Sequence, residues 1–431
     1  MERKLMQKLE SWHIDGERMP LLLSGARQVG KSYLLQEFGE RFYENVVHLN
    51  LETEVGAAAA FDGDLLPRTI ISILELHSGQ HIVPEKTLLI LDEIQACPRA
   101  LTALKSFCEN APEYHVVAAG SLLGVALMRG GMSFPVGKVK ELTLYPLDFE
   151  EFLWAMNKRP LTEMIRAGFK ADEPLTDALH KMALKCYQQY LVIGGMPAVV
   201  ATYLRTQSYL DVNQNQGLIY NQYVADMAKY PDDFKTMRIR ACYDSVPSQL
   251  AKENKKFQYK AVKSGTTSSY FEESIEWLRY AGIALKCVRV KSGNMPVSVY
   301  AEPDFFKLYL SDVGLLTYKS GISASLLLGD IGFDNEFVGG LVENYVAQQL
   351  TALGYPLYYW SSEGKAEVDF VIQMDNRVVP IEVKKSLRTQ SKSLNVFVQT
   401  YHKDFSIRIS AKTFGFANHI KSVPLYAVFC M

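Results

Sequence analysis

The chain has 431 residues, 48% of them hydrophobic and 22% charged, with a formal net charge of −1. That length allows two or three domains, and the composition is that of a globular protein, not a disordered or fibrous one. The near-zero charge excludes a basic field over the whole surface, so any contact with nucleic acid has to come from local patches. The start lacks a signal peptide's apolar core, and no run has the length of a membrane helix. Cys97, Cys108, Cys186, Cys242, Cys287 and Cys430 are scattered without C-x-x-C spacing, so the expectation is a cytoplasmic protein with reduced thiols and no membrane partner.

Residues 1–19 predict a short amphipathic helix, with Leu5 and Leu9 on one face and Trp12 close by. The stretch Leu21–Ser32 then contains G-x-x-x-x-G-K-S, with Pro20–Leu23 reading as a strand before it and Tyr33–Phe38 opening a helix after it. This spacing makes Gly25, Ala26, Arg27, Gln28, Val29, Gly30, Lys31 and Ser32 a candidate phosphate-binding loop. Its backbone N–H groups and the helix N-terminus would face the triphosphate of ATP. Lys31 would reach the β- and γ-phosphates, and the Ser32 hydroxyl would ligate Mg2+.

A second strand is expected over Val46–Leu51 and a helix over Thr69–His77. The apolar run Thr87–Leu91 ends in Asp92 and Glu93, as in a strand buried on both faces of a parallel sheet. Downstream of a phosphate loop, Asp92 is a candidate for holding Mg2+ through water and Glu93 for orienting the attacking water. A solvated acidic pair at a strand end is the competing reading. After a helix over Arg99–Cys108, the strand His115–Gly120 delivers Ser121 either to the γ-phosphate or to an ordinary helix N-cap.

Together, Gly25–Ser32, Leu89–Glu93, Ala119–Ser121 and the segment Leu144-Tyr145-Pro146-Leu147-Asp148-Phe149-Glu150-Glu151-Phe152 resemble a prokaryotic AAA+ ATPase family. In that family the ATPase module is joined to a carboxy-terminal domain of unknown function, DUF4143. The resemblance covers nearly the whole chain. It implies ATP hydrolysis and, because such sites often lie between subunits, self-association. Many members carry Gly-Arg shortly before the tyrosine-proline segment, where this chain has Gly137-Lys138. A lysine is a poorer bidentate partner for phosphate, and Arg129 is the nearby alternative.

From Asp148 to about Tyr230 the pattern is helical, broken at Ile193-Gly194-Gly195-Met196-Pro197, which stops one helix and starts another. Further on, a helix over Thr236–Lys252, a second over Ser268–Ala281 and strands at Ile283–Val290 and Val297–Glu302 suggest a winged helix. Lys252, Lys255, Lys256, Lys260 and Lys263, with Phe257 and Tyr259 between them, suit DNA phosphate contact. A protein-docking module with a solvated lysine face fits the same residues.

The last segment opens with a helix over Asn335–Leu353 whose apolar stripe is Val338, Leu341, Val342, Tyr345 and Val346, with Glu343 off that stripe. Strands Glu367–Ile372 and Val379–Lys384 follow. Pairing through Asp375-Asn376-Arg377 would converge Asp369, Glu382 and Lys384, with Glu343 joining from the helix. This order of helix Glu, strand Asp and strand E-x-K resembles the PD-(D/E)xK nuclease fold. The resemblance implies that Glu343, Asp369 and Glu382 hold Mg2+ while Lys384 steadies developing charge.

The expected organisation is therefore α/β throughout: an AAA+ parallel-sheet core (1–155), a helical lid (156–232), a winged-helix-like domain (233–325) and a nuclease-like α/β domain (326–431). Three purposes stay open: an ATPase that gates DNA cleavage, an ATP-dependent switch that binds DNA without cutting, and a scaffold for another protein.

Overall fold

The computed structural model describes residues 1–128, 134–228, 233–265, 268–329, 336–362, 366–385 and 392–431; Arg129, Tyr230 and Asn335 lie outside the described residues. The chain divides into two units. Unit 1 is Met1–Tyr145 with Tyr280–Gly282, and unit 2 is Pro146–Arg279 with Ile283–Met431. All six cysteines are free thiols. Among the described residues, no helix is long and apolar enough to cross a membrane.

In unit 1 the apolar runs become β1 (Leu21–Ser24), β2 (Asn45–Asn50), β3 (Thr87–Asp92), β4 (His115–Gly120) and β5 (Lys140–Thr143). They pair in parallel in the order β2-β3-β4-β1-β5. β3 and β4 are buried at every position, because helices cover both faces of the sheet. Phe61, Ile70, Leu74, Leu101, Leu104 and Phe107 pack against Leu22, Val47, Leu89 and Val116. The expected helices lie at Leu5–His13, Pro67–Ser78 and Pro98–Asn110. β5 carries no apolar run, since Lys140-Glu141-Leu142-Thr143 is an edge strand paired on one side only. Parallel register sets Ser24 beside Gly120 and Asn50 beside Asp92, so the functional ends of β1, β3 and β4 lie along one edge of the sheet.

Unit 2 begins with helices from Phe149–Ala155 to Ser268–Tyr280 and continues into two sheets. The first has order β7-β6-β8-β9, from Ala301–Leu310, Ala284–Val290, Tyr358–Ser361 and Glu367–Val368. The second has order β10-β11-β12-β14-β13, from Phe370–Met374, Arg377–Val383, Ser406–Ser410, Ile420–Pro424 and Gly415–Ala417.

Two sequence expectations shift here. The second hairpin strand is Ala301–Leu310, whereas Val297–Tyr300 forms a 3-10 turn. β6 also pairs in parallel with β8, Val288 to Tyr358 through Val290 to Trp360, so β6 is an inner strand of a larger sheet whose edge is β7. The expected strand Glu367–Ile372 breaks at Asp369: Val368 pairs with Trp360 in one sheet and Phe370 with Ile381 in the other. The chain changes sheets at that residue, and simple alternation does not run through it.

Helix Glu336–Ala352 buries more than its apolar stripe. Glu343, Asn344, Gln348 and Gln349 are buried too, and each takes a partner. Asn344 accepts from the Leu310 N–H (2.7 Å) and donates to the Leu310 carbonyl (2.9 Å), as a neighbouring strand would. Gln348 accepts from Val313 N–H and Gln349 from Phe149 N–H, each at 3.0 Å.

Candidate active site

The turn after β1 is built for close backbone approach. Gly25 has φ +147°, and a Cβ there would lie 2.2 Å from the Leu144 carbonyl oxygen, so only glycine fits. Gly30, also left-handed at φ +94°, leads into the twelve-residue helix Lys31–Phe42, whose N-terminal amides have no side-chain cap. Uncapped amides at a helix start, with the positive dipole end behind them, form an anion site. Arg3 braces this loop from below, donating to Val29 O at 2.9 Å and to Tyr145 O at 2.5 Å. Arg27 lies 3.9 Å from Glu52.

Lys31 is buried, and its ammonium donates to Gly25 O and Ala26 O at 3.0 Å each. Burial pushes it down to about 8, against the pull of Glu93 and Asp92. The Ser32 hydroxyl donates to Asp92 Oδ2 at 2.5 Å, and His48 Nε2 lies 3.2 Å from the same oxygen. Burial alone would raise the Asp92 carboxyl, but hydrogen bonds from His48, Ser32 and the Glu93 N–H hold it below the usual carboxylate range. A hydroxyl and a carboxylate converging beside an anion site are the hard oxygen donors that suit Mg2+ shared with phosphate.

Glu93 follows β3 in the left-handed region, φ +50°. Its Oε2 accepts from Ser121 Oγ at 3.0 Å and from Gln95 Nε2 at 2.5 Å. Lys31, Ser32, Asp92, Glu93 and Ser121 are thus gathered along one sheet edge. Lys138 is not among them. It precedes β5 at the opposite end of the parallel strands and pairs with Glu109 at 3.0 Å. Arginine 3, His48 and Gln95 escaped sequence reading. Of these only Gln95, two residues beyond the acidic pair, carries a local signal.

In unit 2 the expected nuclease set meets differently. Glu343 is buried and paired with Lys255 through Oε1, while its Oε2 accepts from Tyr309 OH at 3.2 Å and lies 3.6 Å from Lys307 Nζ. Lys307 is wholly buried and also lies 2.6 Å from Glu367 Oε1. Burial would strip its proton, but Glu343, Glu367 and Asp369 hold it well above the ordinary lysine value. Asp369 accepts from Val383 N–H at 2.8 Å and is pushed up to about 7 by burial and by Glu343. Lys384 pairs with Glu382 at 2.6 Å.

Among the described residues, no group of three His, Cys, Asp or Glu side chains is placed to hold a metal ion. Ammonium groups stand beside the expected carboxylates: Lys255 and Lys307 at Glu343, and Lys384 at Glu382. Lys255, expected on a phosphate-facing patch, is one of those groups.

Residues 17–153 match the family model of an AAA domain, AAA_14, and residues 338–428 match DUF4143, a domain of unknown function. Residues 184–326 match a second domain of unknown function, DUF8612. An uncharacterized protein of Mycobacterium tuberculosis is 35% identical over 82 residues, and one of Mycobacterium bovis matches in the same terms; the match spans 19% of this chain and only 18% of either relative. Among solved structures, a Walker-type ATPase of Pyrococcus abyssi aligns at TM-score 0.44 and 15% identity, over 74% of this chain and 95% of that one. DnaA of Aquifex aeolicus, bound to AMPPCP, aligns at TM-score 0.28 and 12% identity, over 65% and 84%. The ORC1 protein of Aeropyrum pernix, solved with DNA, aligns at 0.27 and 14%, over 74% and 91%.

Proposed function

With residues 17–153 an AAA domain, we propose that the chain is a Mg2+-dependent ATPase whose unit 2 engages DNA. The observation that carries the ATPase reading is the alignment of Lys31, Ser32, Asp92, Glu93 and Ser121 on one edge of the parallel sheet. Mg2+ held by Ser32 and Asp92 would supply charge neutralisation at the phosphate oxygens. The Gly25–Ser32 amides bind and orient the triphosphate. Lys31 leaves the Gly25 and Ala26 carbonyls to meet the β- and γ-phosphates, and Glu93, steadied by Ser121 and Gln95, orients the attacking water. Lys31→Ala is expected to lose tight ATP binding; a purified variant that hydrolyses ATP at the parental rate overturns the assignment.

The DNA reading is supported by exposed Lys260 and Lys263 and by Lys256 and Arg289, which both lie over the Phe305 ring, at 3.8 and 3.7 Å. Binding is expected to weaken steeply with salt, and Lys260→Ala with Lys263→Ala to flatten that dependence. No binding at low salt, with ATP hydrolysis intact, returns unit 2 to a protein-docking role.

A further inference from the structure

The carboxylates of the carboxy-terminal half face a cation that belongs to the chain. Lys307 lies on β7 between buried Phe306 and buried Leu308, a place where an apolar side chain is the rule. Its ammonium instead reaches Glu367 Oε1 at 2.6 Å and Glu343 Oε2 at 3.6 Å, and it lies 5.0 Å from the centre of the Tyr359 ring. Two carboxylates and an aromatic face make a built site for an ammonium ion.

The neighbours are committed as well. Lys255 takes the other oxygen of Glu343, Tyr309 donates to Glu343 Oε2, Val383 N–H binds Asp369 and Lys384 binds Glu382. Among these groups, Glu382 Oε2 and Lys307 Nζ are the buried atoms without a hydrogen bond of good geometry; the ammonium is held as an ion pair by Glu367 and Glu343, and the one carboxylate oxygen left over does not make a metal site. A divalent ion would have to displace a fully buried ammonium and leave it without a counter-charge.

We propose that Lys307 is the resident cation of this cluster, and that the cluster is a structural ion-pair core which neither holds a divalent metal nor cuts DNA. This is independent of the ATPase site, which contributes equally to every protein compared below.

The test is a Mn2+ titration of the nucleotide-free chain followed by electron paramagnetic resonance, the parent against Asp369→Asn and Glu343→Gln. The same number of bound ions in all three is the expected result; an ion lost in either variant overturns the proposal. In parallel, plasmid incubated with the parent and Mn2+ is expected to stay supercoiled, and nicking that disappears in Asp369→Asn overturns it. The ammonium itself is read by thermal unfolding. Lys307→Met is expected to melt well below the parent, with part of the loss restored by adding Glu343→Gln. A Lys307→Met protein as stable as the parent overturns the proposal. One too unstable to purify agrees with it, and the titration then decides.

Discussion

Lys31 is buried beneath its own loop, where it meets two carbonyl oxygens, and that burial gives the site a pH limit. Its ammonium is pushed down to about 8 by burial in the nucleotide-free chain. Phosphate binding requires the charged form, so ATP affinity is expected to fall as pH rises through 8, and equilibrium binding titrations at several pH values would show it. Glu93→Gln keeps the hydrogen-bonding shape and removes the base. ATP should still bind, while turnover falls about 10²–10⁴-fold, which single-turnover kinetics would separate from binding. The loop and the Asp92-Glu93 pair were legible in the sequence because their chemistry is carried by neighbours along the chain. Lys307 was not, because its partners Glu343 and Glu367 come from distant segments and a lone lysine on a strand has no signal of its own. His48 acquires meaning only once β2 and β3 lie side by side.

Among the elements, helix Glu336–Ala352 shows why pattern reading reached the stripe and stopped. Apolar spacing identifies one face, but the structure buries the polar face as well, using Asn344, Gln348 and Gln349 to satisfy backbone groups of other segments. Asn344→Leu would leave the Leu310 N–H and carbonyl unpaired in the interior. A loss of about 1–3 kcal/mol per group is expected, measurable by denaturant unfolding. The Gly194-Gly195 turn, which reads as a plain helix break, proves to be a packing point. A Cβ on Gly195 would lie 2.0 Å from the Leu147 carbonyl oxygen, and the Gly195 N–H donates to buried Asp312 at 2.6 Å. The Leu147 carbonyl also accepts from Tyr190 OH at 2.5 Å, so the tyrosine-proline segment and the glycine turn are fitted to each other. Gly195→Ala should therefore destabilise the protein with no change in the nucleotide contacts, which thermal unfolding beside ATP binding would separate.

On the scale of the whole molecule, two units predict two unfolding events rather than one. ATP should raise only the transition that reports unit 1, because a ligand stabilises the unit that binds it; calorimetry with and without nucleotide would check this. Unit 1 should also lose stability in acid. His115 is pushed down to about 4 by burial, by Arg18 and by His13, while an unfolded histidine titrates near the ordinary 6.5. The stability due to neutral His115 is present above 6.5 and is lost as pH falls through 4, and His115→Gln should reduce that dependence. The parallel sheet was legible because β1, β3 and β4 are continuous apolar runs. The interleaving of unit 2 was not, since β6 pairs with β8 across β7 and the helices that follow it, and no local pattern announces it.

That interleaving also sets a timetable for synthesis. His180, near the start of unit 2, hydrogen-bonds Tyr426 at 2.9 Å, 246 residues further along the chain. At ordinary translation rates the wait is roughly 12–50 s, during which the early helices stand at the ribosome with their aromatic faces unclosed. Unit 2 is therefore the part of the nascent polypeptide that should recruit chaperones, and trigger points for their release should lie after Tyr426 has emerged.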